Sequence, residues 1–271
     1  MSRLFPESIV LRLGDAMPAL AAVPAVAPAL RDRAEGAALA APAEPQTTRL
    51  DAPLAAFERA LEERKPPRGA RLTCIIAGDA ARYRVVPWSD ELASPAQRQV
   101  LAEHCFKEAY GDAARGWVVR LQPARYGAAA LACALDVALL DRLDALAQSR
   151  QLRLVSVQPS LMHAFNASAR RREGGPYWFV CIDALWATAL LMSPAEPLHV
   201  KQLSTAGLDL ALSLDREAFA PGLDGPPPAV QATRFDAGAR TRDSTASASA
   251  GWHGVGVQEL AAMPAIVRRA A

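Results

Sequence analysis

Polar and apolar residues alternate over Ser8–Gly14 (SIVLRLG), the period-two pattern of a half-buried strand. The next strong pattern has helical spacing. In Asp51–Arg64, Leu54, Phe57 and Leu61 fall on one face and Glu58, Glu62 and Glu63 elsewhere, with Asp51 placed to cap and Pro66-Pro67 to stop the helix. Two apolar runs follow, Arg71–Ala77 and Arg82–Trp88, and the Gly78-Asp79 turn between them predicts a hairpin or strand pair. Ser94-Pro95-Ala96-Gln97 starts a helix, because serine can cap, proline suits the first helical position and Gln97 completes a capping box. That helix runs to about Tyr110 and ends at Gly111, with Val100, Leu101, Cys105 and Ala109 on its expected apolar face. Strands are expected at Trp117–Gln122 and Leu131–Leu135, then a helix capped by Asp136 that carries Leu139, Leu140, Leu143 and Leu146. Leu152–Val157 reads as a strand and Ser160 as the cap of a short helix through Leu161, Ala164 and Phe165. Tyr177–Asp183, Trp186–Met192 and His199–Leu203 form a meander, and Leu208–Phe219 a last helix.

Strands alternating with helices imply an α/β protein, with helices on the faces of mixed sheets. Two segments fall outside the pattern. Residues 16–49 are rich in alanine and proline and read as a linker or long loop, since they offer little burial against the entropy of ordering. Beyond Pro221 a Pro226-Pro227-Pro228 run and many small and charged residues predict a flexible tail over 221–271. Inside it, Val257, Leu260, Met263, Ile266 and Val267 could form a docking segment, although an unstructured end is the plainer reading. The chain then divides into a first strand (1–15), the linker, a first lobe (50–175), a partial second lobe (176–220) and the tail.

Composition narrows the partners. The 271 residues are 51% hydrophobic, enough for a sizeable core, and the net charge of +2 demands no nucleic acid. Cys74, Cys105, Cys133 and Cys181 are far apart with no CxxC pair, which fits reduced thiols better than zinc. Ala16–Leu30 is too short and too proline-rich to span a bilayer, and Glu7, Arg12 and Asp15 interrupt any signal-peptide core. The expected location is the cytoplasm, with any contact to the inner membrane made through partners.

Three stretches carry a resemblance: RYRVVPW at Arg82–Trp88, the SPAQRQVLAEHCFKEAYG helix, and LVSVQPSLMHAFN leading into YWFVCIDALWATALL. Together, over roughly Gly69–Ser204, they resemble the actin-like cytoplasmic scaffolds of pilus and secretion machines. These are the type IV pilus assembly M protein and the cytoplasmic part of the type II secretion L protein. The resemblance implies a ribonuclease H-like, actin-like fold, here degenerate and truncated. It also implies a role in protein assembly, with envelope-assembly proteins as partners and self-association left open. Active actin-like ATPases bring glycine-bearing hairpins against phosphate, because a side chain would block the approach. Here Leu13-Gly14-Asp15 runs into Met17-Pro18, and Ala184, Leu185 and Trp186 follow Asp183. The expected protein is therefore a scaffold with no cofactor. ATP with magnesium at Asp183, in a weak ATPase or switch, is the alternative.

The remaining candidates have a chemical and a plain reading each. Asp183 could hold a metal–phosphate group or cap a strand end locally. Asp79, Asp136 and Asp183 would suit a two-metal nuclease only if they clustered, and each has a turn or cap explanation. His104 and Cys105 are adjacent, so a helix points them apart, and His163 and His199 have no second ligand at helical spacing. Arg170, Arg171 and Arg172 could meet an acidic partner or stay solvated at a helix end. Trp178 and Trp186 could anchor a partner or fill the sheet core.

Overall fold

In the computed structural model the described residues are 8–13, 51–92, 94–168, 175–183, 186–205, 210–218 and 228–234. Arg170, Arg171 and Arg172, the linker 16–49 and the candidate docking segment at 257–267 lie outside them. The strands form three sheets. Strands β1 (Ser8–Leu13), β2 (Arg71–Ile76) and β6 (Arg153–Pro159) make a parallel sheet in the order β1-β2-β6. Strands β3 (Ala81–Val86), β4 (Trp117–Leu121) and β5 (Ala130–Asp136) make an antiparallel sheet, β3-β5-β4. Strands β7 (Tyr177–Ile182), β8 (Trp186–Met192) and β9 (Pro197–Ser204) are the expected meander, and β10 (Ala229–Arg234) adds in parallel to β7. The result is the α/β class with mixed sheets flanked by helices.

Helices cover these sheets where their apolar stripes require it. Helix α1 (Asp51–Arg64) buries Leu54, Phe57 and Leu61 and leaves Glu58, Glu62 and Glu63 exposed, as its spacing predicts. Helix α2 (Pro95–Tyr110) begins with the Ser94–Gln97 capping box and stops where Gly111 takes φ +60°, a conformation glycine adopts without strain. Its buried face is Arg98, Ala102 and Phe106, rotated from the expected one: Leu101 and Cys105 are partly buried against the same core, whereas Val100 is 64% exposed and Ala109 is exposed. The reason is tertiary. The alanines Ala132 and Ala134 of β5 admit Phe106, while the Arg98 guanidinium lies 4.7 Å from the Trp88 ring centre and donates to the Ala128 carbonyl at 3.2 Å. Helix α3 (Val137–Ser149) is capped by Asp136, whose carboxylate accepts from Ala138 N–H at 2.8 Å, as expected. Helix α4 (Ser160–Ala167) packs Leu161 and Ala164 inward, and helix α5 (Leu210–Ala218) packs Leu210 and Leu214.

Strand β7 explains why YWFVCI reads as a continuous apolar run. Trp178, Val180 and Ile182 pack under α5, whereas Phe179 and Cys181 face the core shared with β2, β3 and β5. A strand covered on both faces needs apolar residues at every position. That shared core takes Leu13, Leu72, Tyr83, Leu131, Phe179 and Leu190 from all three sheets, so the sheets meet through one apolar interior.

Three further expectations change. The two runs around Gly78-Asp79 do not pair: β2 enters the parallel sheet and β3 the antiparallel one, with the Gly78–Ala80 turn as the crossover. Ser160 is no cap, because Pro159 occupies the capping position and the Ser160 hydroxyl is fully buried. Within the expected tail, Ala229–Arg234 is a strand, with Ala232 and Thr233 buried beside β7. Its short VQATR pattern offers a weak signal, and pairing with β7 makes it a strand.

Candidate functional site

Asp183 stands at the end of β7, where the chain turns into β8 and Asp183 N–H donates to the Trp186 carbonyl at 2.7 Å. Its carboxylate oxygen Oδ2 accepts the N–H of Gly78 at 2.6 Å across 105 residues of sequence. A backbone amide held by a carboxylate is a charge-assisted bond, stronger than one between neutral groups. Gly78 sits in the crossover turn between β2 and β3, so this bond ties the turn after β2 of the parallel sheet to the end of β7 in the four-stranded sheet.

The turn is pressed against β8 and the end of β7. A Cβ at position 78 would lie 2.6 Å from Thr188 Oγ1 and 2.8 Å from Asp183 Oδ2, closer than real Cβ contacts come. Glycine is needed here for space, since positive φ among the glycines falls at 69, 111 and 127. From the far side Gln202 Nε2, on β9, donates to the Gly78 carbonyl and to the Ala81 carbonyl, the latter at 3.0 Å. The peptide groups on both sides of Gly78 are thereby bound by side chains of the four-stranded sheet, Asp183 and Gln202. The hydroxyl of Thr188 is fully buried and the Ser160 hydroxyl and Tyr83 phenol lie deep in the same interior. Burial pushes the Tyr83 phenol well above its usual range, and Cys133, Cys181 and Asp183 add to that. Cys181 is likewise pushed up by burial, then by Asp183. These groups stay protonated near neutral pH.

The other sequence candidates are dispersed. Trp178 is 1% exposed beneath α5, so it is a core residue and not an exposed anchor. Trp186 is half-buried at the start of β8, opposite Ser204. His104 is exposed, His163 is half-buried with its pKa lowered by burial and by Arg12, and Cys105 is half-buried. His199 hydrogen-bonds Glu217 at 3.0 Å, and Lys201 pairs with the same carboxylate at 3.1 Å, fastening α5 to β9. Among the described residues no three His, Cys, Asp or Glu side chains lie together as a metal ion would need. Among them, too, no helix is long and apolar enough to cross a membrane.

A second region escapes sequence reasoning altogether. The Glu196 carboxylate, in the β8–β9 turn, accepts the Ala129 N–H at 2.5 Å and bridges that turn to the arm before β5. On one side of this bridge is a cavity of about 330 Å³ floored by Phe165, Leu190 and Met192. On the other is a groove of about 470 Å³ between β3 and the first half of β9. Both are concave, half-polar surfaces of the kind that bind ligands or peptides. No sequence signal marks them, because their walls come from segments far apart in the chain.

Neither a protein-family model nor a curated protein matches the chain in sequence. Among solved structures it is similar to the cytoplasmic domain of EpsL, an inner membrane component of the type II secretion system of Vibrio cholerae (TM-score 0.47, 8% identity, 76% of this chain and 74% of that one). It is also similar to a protein of unknown function from Bacteroides thetaiotaomicron with an actin-like ATPase fold (TM-score 0.45, 12% identity, 66% of each chain). A third likeness is to the PilM–PilN type IV pilus biogenesis complex (TM-score 0.42, 20% identity, 64% of this chain and 54% of that one). The pilus and secretion components that the sequence resembles are thus among the structures to which this chain is similar.

Proposed function

We propose that this protein is a non-catalytic scaffold of degenerate actin-like fold. In this reading it acts by protein–protein binding in a pilus-like or secretion-like envelope assembly, from the cytoplasmic side. One observation carries the non-catalytic part. The carboxylate that would face a metal–phosphate group is already bonded to Gly78 N–H, and the turn that carries this amide leaves no room for a methyl group. That bond and the closed turn support reading Asp183 as a structural residue that ties the crossover turn to the end of β7. The assembly part is supported by the three stretches that resemble pilus and secretion scaffolds.

Isothermal calorimetry with Mg-ATP on the full chain tests the first part, with no heat expected at high micromolar protein. Saturable binding in the micromolar range would overturn it in favour of an ATP-binding switch. Co-purification from cells with and without the gene tests the second part. Specific recovery of envelope-assembly proteins is expected, and recovery of none of them counts against the reading.

A further inference from the structure

We infer that the corner where the four-stranded sheet meets the crossover turn is an internal hydration site, in which ordered water bound by the hydroxyls of Thr188, Ser160 and Tyr83 holds the corner together. Such a site is independent of whether the protein is a scaffold. Strand register brings the polar groups together. Thr188 of β8 stands opposite Cys181 of β7 and opposite Gln202 of β9, and Thr233 of β10 stands opposite Cys181 from the other side. Partners in register point to one face of a sheet. Thr233, Cys181, Thr188 and Gln202 therefore form a polar row across all four strands, on the face turned to the shared core. The next row on that face, over β7, β8 and β9, is Phe179, Leu190 and Val200, all apolar.

The polar row is deep: Cys181, Thr188 and Thr233 are no more than 3% exposed. Two more polar groups reach it from other elements. Ser160, the first residue of α4, is fully buried and stands beside the Cys181 thiol. The Tyr83 phenol of β3 lies within electrostatic reach of Cys181 and near the Leu161 N–H. None of the Thr188, Thr233, Ser160 and Tyr83 hydroxyl oxygens has a hydrogen-bond partner among the described residues. A buried hydroxyl without a partner is costly, and ordered water is the usual remedy where several converge. The donor set also selects the ligand. Hydroxyls both donate and accept, Cys181 stays protonated, and the Asp183 carboxylate accepts from Gly78 N–H. A small neutral molecule that both donates and accepts fits such a set. Thr188 also borders Gly78, so this water ties β8, α4 and β3 together beside the crossover turn.

A crystal structure of the full chain, at a resolution that shows ordered water, tests the site together with the stability of two variants. Water density is expected within hydrogen-bonding distance of at least two of the three hydroxyls. Tyr83→Phe and Ser160→Ala each delete a hydroxyl and add no atom. Each should strip the water of a partner and lower the folding equilibrium constant about fivefold in urea unfolding. If the hydroxyls stood dry, the same deletions would remove an unpaired buried group and raise that constant. Density together with loss of stability in either variant supports the site. Density with neither variant destabilised overturns the water's part in holding the corner. No density between these hydroxyls overturns the site outright, whatever the variants do.

Discussion

Gly78→Ala is the sharpest probe of the junction between the crossover turn and the four-stranded sheet. The added methyl group would stand 2.6 Å from Thr188 Oγ1 and 2.8 Å from Asp183 Oδ2. Thr188 is fully buried on a central strand, where the packed core around its β-branched side chain resists a change of rotamer. The turn must therefore retreat, and the Gly78–Asp183 hydrogen bond lengthens with it. Overpacking costs about 1–3 kcal/mol, and a hydrogen bond to a charged group about 1.5–3 kcal/mol. A loss of about 3 kcal/mol is expected, equivalent to a melting point lower by about 6–12 °C for a protein of this size. Urea unfolding should show a lower midpoint at unchanged slope. Thr188→Ala removes the nearer clashing atom, so Gly78→Ala with Thr188→Ala should cost less than the two changes added, with a coupling of about 1 kcal/mol. A Gly78→Ala protein within about 0.5 kcal/mol of wild type, the range of ordinary surface changes, would refute the tight turn and the closed corner with it.

Other outcomes follow from single contacts. Ser94→Ala removes one side of the capping box on α2 and should cost about 1 kcal/mol in urea unfolding, with Ser94→Asp largely retaining stability. Phe106→Ala empties the interior of the antiparallel sheet, where Phe106 is fully buried beside Tyr110 and Trp117, and should cost about 3–5 kcal/mol. For Glu217, burial works against ionisation, but hydrogen bonds from His199 and Lys201 win and hold the carboxyl below its usual value of 4.5. A folded pKa below the unfolded one contributes stability above pH 4.5 and loses it as pH falls through the folded value. Glu217→Gln should therefore flatten the acid limb of the stability curve and leave its slope above pH 6 unchanged. Burial pushes the thiols of Cys74 and Cys133 up to about 12 and raises that of Cys105 less, so Cys105 should react first with a thiol reagent at pH 8. All four should react in denaturant.

Local physics made much of this protein legible as a string of residues. The three-residue spacing in α1, the Ser94–Gln97 box, the Asp136 cap and the unbroken YWFVCI run each depend on neighbours within a turn or two, and each stands where its pattern places it. Long-range choices were silent. Nothing near Gly78-Asp79 tells whether the flanking strands form a hairpin or enter two sheets, because both options satisfy the same turn. The buried face of α2 depended on which positions of β5 are alanine, and β10 became a strand through its pairing with β7.

The same divide holds for the candidate site. The chain alone marked Asp183 and the bulky residues after it, hence the expectation that a phosphate loop is missing. Its carboxylate meets Gly78, and Thr188 and Gln202 close around that turn, only once three sheets share a core, since those contacts join positions more than 100 residues apart. Periodicity and capping are decided within a few residues of chain, whereas a closed corner or a groove between two strand edges exists only when distant segments have packed.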